Sequence, residues 1–157
     1  MDSRSALPPF ISKWIEPRKV QIEIVLTSLS LLSLLIYSLK INGGAEMVMI
    51  SLSIHAGFYF ISAYIPSDFS SGIFSIIAHK VISIASSVSV ISFLFSILKL
   101  TGAMEMMLIG FTAMVGASLT LFFSTINQWN QKLTPLFIRV VVLVTLTGLV
   151  QLKLISF

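Results

Sequence analysis

Seven ionisable side chains lie within or at the margins of long apolar runs in this chain: Glu23, Lys40, Glu46, His55, His79, Lys99 and Glu105. Burying such groups away from water is costly, so where they occur in apolar segments they pair with one another, anchor a helix end, or carry ions and protons. His55 stands apart because it falls near the middle of its run. Its imidazole, with an ordinary pKa near neutrality, is suited to relaying protons, ligating a cofactor or bonding across helices. The simpler alternative is a neutral ring bonded to a serine hydroxyl or backbone carbonyl of a neighbouring helix. Lys40 with Glu46, and Lys99 with Glu105, flank glycine-containing turns, where snorkelled or paired anchoring is one role and selecting a proton path or a partner's charge is the other. Glu23 enters the first apolar run by a single residue, as expected of a solvated helix cap.

The elements that must position these residues follow from composition. The 157 residues are 56% hydrophobic and only 10% charged, with a mean hydropathy of +1.01, which excludes a soluble globule, where charged residues make up about a quarter. Crossing a hydrocarbon core about 30 Å thick takes about 20 apolar residues. The spacing predicts crossings over Ile22–Ile41, Ala45–Ile65, Val81–Leu100 and Ala103–Phe123. Leu136–Phe157 is read as a fifth crossing or an interfacial helix, with Arg139 and Lys153 snorkelling from its ends. The expected class is therefore all-α, a polytopic membrane bundle of four to five transmembrane helices. Its expected divisions are an N-terminal interfacial segment (1–21, anchored by Trp14), a first hairpin (22–66), a connector (67–80), a second hairpin (81–125) and a polar exit with the fifth helix (126–157). No cleaved signal peptide is expected at the N-terminus.

The hairpins read as tandem repeats. An offset of 59 positions lays Lys40-Ile41-Asn42-Gly43-Gly44-Ala45-Glu46-Met47 onto Lys99-Leu100-Thr101-Gly102-Ala103-Met104-Glu105-Met106 without a gap, and Ser28, Ser30, Ser33 and Gly57 onto Ser87, Ser89, Ser92 and Gly116. His55 falls on Met114, so any proton path through it is asymmetric. The serine rows, with Gly57, Gly110 and Gly116, predict close helix packing, internal or against partners. The methionines are expected to fill apolar gaps rather than bind Cu(I).

Basic residues divide seven (Arg4, Lys13, Arg18, Lys19, Lys80, Lys132, Arg139) against three (Lys40, Lys99, Lys153) across the bilayer, which predicts a cytoplasmic N-terminus. The formal charge of +4 is thereby explained by membrane topology rather than nucleic-acid binding. The chain has no Cys, and no nucleophile elbow, phosphate loop, paired-His metal motif or acidic pair occurs in it. An enzyme is not expected, nor a cofactor or a metal.

A Lys-ended first helix, a Gly turn, a Met-rich second helix and Phe58-Tyr59-Phe60-Ile61-Ser62-Ala63-Tyr64-Ile65-Pro66 together resemble the N-terminal membrane hairpin of the GldL family, inner-membrane motor proteins of Bacteroidota gliding motility and type 9 secretion. The similarity spans Lys19 to Pro66, with a weaker second copy from Lys80 to about Ser124. The resemblance implies a bacterial inner-membrane location and assembly around a partner's helix: in that family five two-helix subunits surround the single helix of GldM, which proton flow is thought to turn. A functional Lys would fall on Lys40 and Lys99. The family's membrane-embedded Glu would fall on His55 and Met114, and its long cytoplasmic region is absent. The expected role is a non-enzymatic subunit or scaffold of a membrane complex, self-assembled or with other subunits. The alternatives are a proton- or ion-conducting component and a lipid- or small-ligand-binding protein, the last recognisable by a cleft between the hairpins.

Overall fold

The computed structural model describes residues 14–65, 73–127 and 134–151. They form five α-helices: α1 (Lys19–Ser38), α2 (Gly44–Ser62), α3 (Ile73–Ile97), α4 (Ala103–Asn127) and α5 (Thr134–Gln151), with a 3-10 turn at Glu16–Arg18 leading into α1. No strand occurs among the described residues. Helices α1 to α4 are each long and apolar enough to cross a membrane. Their outer faces leave large apolar side chains uncovered, among them Ile24, Leu31 and Leu35 on α1, Ile54 on α2 and Leu108, Phe122 and Phe123 on α4. Surface of that kind is stable in hydrocarbon and not in water, so the chain is an integral membrane protein.

Each helix packs on the next in sequence, and α5 also returns onto α3. Helix α3 is the centre. One of its faces joins Ile82 and Ala85 to Met114, Ala117 and Leu121 of α4 and Val140 of α5. Another joins Val90, Leu94 and Ile97 to Val48, Leu52 and Ala56 of α2. Helix α5 is not among the four that length and composition mark as membrane-crossing; it lies along the bundle, with Leu143 and Val144 packed beside Val140.

The two hairpin turns are built alike. Helix α1 ends with Lys40 at φ 55° and α3 with Lys99 at φ 51°, both left-handed, and Gly43 (φ 84°) and Gly102 (φ 82°) follow. In the first turn the Lys40 and Ile41 amides reach back to the carbonyls of Tyr37 and Ile36; in the second, Lys99 and Leu100 reach Ser96 and Phe95. Both sets are Schellman caps, which satisfy the last carbonyls of a helix. The helices then close tightly. A Cβ added to Gly44 would stand 2.9 Å from the Tyr37 Cα, and one added to Gly110 would run into the Ser92 side chain.

One expectation about the helices differs from the structure. Helix α3 begins at Ile73, inside the predicted connector, because Ile73 onward is already apolar and His79 and Lys80 are accommodated within the helix instead of bounding it. Residues 66–72, 128–133 and 152–157, which hold the rest of the connector, the polar exit and Lys153, lie outside the described residues, as do 1–13.

Candidate functional site

Glu23 and Arg139 sit in the second turns of α1 and α5, near the same end of the bundle. The short links between helices leave alternate members parallel, so the two charges arrive at one level and meet. Arg139 donates from Nε to Glu23 Oε1 at 2.8 Å and from Nη2 to Glu23 Oε2 at 2.5 Å, a two-pronged pair. Tyr59 of α2 donates its hydroxyl to Glu23 Oε1 at 3.1 Å, and the Arg139 guanidinium lies 4.5 Å from the centroid of the Tyr59 ring. Arg139 is only 8% exposed. It therefore does not snorkel, and Glu23 is not a solvated cap: each charge finds its counter-ion inside the bundle at less cost than a stretched side chain reaching water.

A column of polar side chains continues from this pair toward the bundle centre. The His55 ring lies tilted against Tyr59 with centroids 4.6 Å apart, and its Nδ1 is 3.1 Å from Ser30 Oγ. Ser30 donates its hydroxyl to the Leu26 carbonyl at 2.8 Å, which leaves its oxygen able to accept from Nδ1 when that nitrogen carries the ring proton. One turn further along α1, Ser33 donates to the Ser30 carbonyl and lies 2.7 Å from Ser51 Oγ of α2. Beside the column, at the end of the bundle that holds Glu23, His79 Nε2 lies 3.1 Å from the Ser62 carbonyl and 3.2 Å from Lys19 Nζ.

A cavity of about 530 Å³ opens alongside, walled by Ser30 and Leu34 of α1, His55 of α2, Ser89 and Phe93 of α3 and Arg139 of α5. Its size is in the range of small-ligand sites.

Of the five candidate functional residues His55, Lys40, Glu46, Lys99 and Glu105, His55 alone belongs to this column. Lys40, Glu46, Lys99 and Glu105 are exposed at the opposite end, around the two turns. Glu46 and Glu105 occupy the first turns of α2 and α4, where a carboxylate favours the positive end of the helix dipole. Sequence reasoning did not join Glu23, Tyr59 and Arg139. The available signal was that two opposite charges recur at matching depth in parallel helices.

Comparison with protein-family models, curated proteins and solved structures gives no match in any of the three.

Proposed function

We propose that this membrane protein is a non-enzymatic subunit of a larger membrane complex, with hairpins of the GldL type, a bacterial inner-membrane location and a cytoplasmic N-terminus. The carrying observation is a pair of matching notches on its outer surface. Gly57 on α2 and Gly116 on α4 each have open space where a Cβ would stand, and each follows an exposed small residue one turn earlier, Ser53 and Thr112. Small residues at that separation let a second helix approach closely in a bilayer, where packing rather than hydrophobicity drives association. The notches, like the turns, recur at the 59-residue offset, which supports a duplicated hairpin. The column chemistry is consistent with a structural role, because its Glu23–Arg139 ion pair is a tie between helices.

Extraction in mild detergent, followed by mass measurement and identification of bound chains, tests the reading. A defined assembly is expected, partly lost in the Gly57→Leu/Gly116→Leu variant while helical content persists. A monodisperse monomer overturns it. Loss of proton flux in His55→Leu with assembly intact would replace it with conduction.

A further inference from the structure

We infer that the cavity among α1, α2, α3 and α5 is a slot for one acyl chain of a bilayer phospholipid. Its exposed wall is almost wholly apolar. Ser30 and His55 belong to that wall but turn polar atoms to one another, and Glu23 and Arg139 are joined as an ion pair. A space of this character stays dry. Left empty, it would forfeit the dispersion contacts of its lining, so a hydrocarbon guest stabilises the bundle.

A bilayer offers two such guests, a lipid tail and a partner's helix, and shape decides between them. Along α1 the wall runs from Val20 to Leu34, about 21 Å at the rise of a helix. Spread over that length, the volume of about 530 Å³ is a channel about 5–6 Å across, half the diameter of about 10–12 Å that a helix with its side chains needs. A single hydrocarbon chain fits; a helix does not. The channel also begins in the first turn of α1, at the margin of the crossing, and stops at Leu34, short of the turn that Lys40 enters. A crossing helix would need a groove along its whole length, whereas a tail starts at the margin and reaches about 15 Å, half of the hydrocarbon core. The opening is lateral. Ile24 and Leu31 of α1 and Ile138 and Val142 of α5 line it and are 60%, 63%, 58% and 48% exposed. Among the described residues only α2 packs closely on α1, which leaves the gap toward α5 through which a chain slides in from the bilayer, its sister tail remaining outside.

Two measurements on the full chain test this: native mass spectrometry in detergent, and cross-linking in dioleoylphosphatidylcholine vesicles containing the same lipid with a diazirine at the end of one tail. One phospholipid is expected to stay bound. Dioleoylphosphatidylcholine and dioleoylphosphatidylglycerol should bind within about two-fold of each other, and dihexanoylphosphatidylcholine, whose tails cannot fill the slot, about ten-fold more weakly or worse. Cross-links should concentrate on Leu34 and Phe93, at the inner end. Thr27→Trp and Val142→Trp, which each put a ring into the mouth, should abolish the adduct and these cross-links, while Leu119→Trp, on the outer face of α4, should leave both unchanged. The two mouth variants are on different helices, so either one keeps the test open if circular dichroism shows that the other has lost its fold. Binding that follows the headgroup, cross-links spread over the outer faces of α1 and α4, an adduct untouched by a folded mouth variant, or loss of a bound protein chain in place of the lipid overturns the inference.

Discussion

The tie between Glu23 and Arg139 is a residue-scale device with a measurable worth. Arg139 is buried and Glu23 is 23% exposed, so removing one member leaves the other uncompensated at a cost of up to about 3 kcal/mol, below that of a fully buried pair, whereas replacing both by apolar residues is often near neutral. Glu23→Gln should therefore lower stability strongly in reversible unfolding from detergent micelles, and Glu23→Leu/Arg139→Leu should recover most of the loss. Additive losses in the double variant would show that the two residues do not act as a pair. His55 was legible in the sequence as a mid-run titratable group, and serine was one of its two foreseen partners; Ser30 is the one the fold supplies. Glu23 and Arg139 were visible too, but each was read against its own helix end. What decides their role is the parallel placement of α1 and α5, more than a hundred residues apart, and local sequence does not carry that relation.

The two hairpin turns are more alike than the chemistry around them. Both turns place a lysine in the left-handed region, where a non-glycine residue costs about 1–2 kcal/mol. Lys40→Gly should accordingly leave stability unchanged or raise it by up to about 1 kcal/mol in thermal unfolding; a clear loss would mean that the ammonium itself holds the turn. Glycines of the same helix type also divide by what faces them. Gly110 abuts Ser92 with no room for a methyl group, while Gly57 faces open space. Gly110→Ala should cost about 1–3 kcal/mol by overpacking, and Gly57→Ala should leave the isolated chain within about 0.5 kcal/mol of its original stability. Hydropathy located four helices to within a few residues, because apolar length is a strong constraint in a bilayer. It misplaced the start of α3, where His79 and Lys80 look like a boundary but sit within a helix. It also could not say which serines and glycines face inward: Ser33 meets Ser51, and the equivalent Ser92 meets Gly110, only once the crossing of the helices is known.

The whole molecule is organised around α3, with the first and last helices joined at one end. Helix α5 is held by its packing on α3 and α4, and the pair linking it to α1 adds a direct tie between the outer members. A chain ending at Asn127 should therefore be less stable than the full protein, through an uncovered Glu23 as well as lost packing. Adding Glu23→Leu to that truncation should restore part of the stability, read as resistance to proteolysis in membranes. No recovery would mean that α5 contributes through its apolar face alone. Bundle class and hairpin plan were readable from composition and turn residues, whereas the cavity was not, since it forms where four helices fail to close completely.

The same pairing has a consequence for how the protein is made. Helix α1 is synthesised before α5, so Glu23 is without its counter-ion until Arg139 has been made, more than a hundred residues later. The tie between them therefore closes late, after the intervening helices are in place, and the early helix carries an uncompensated carboxylate until then.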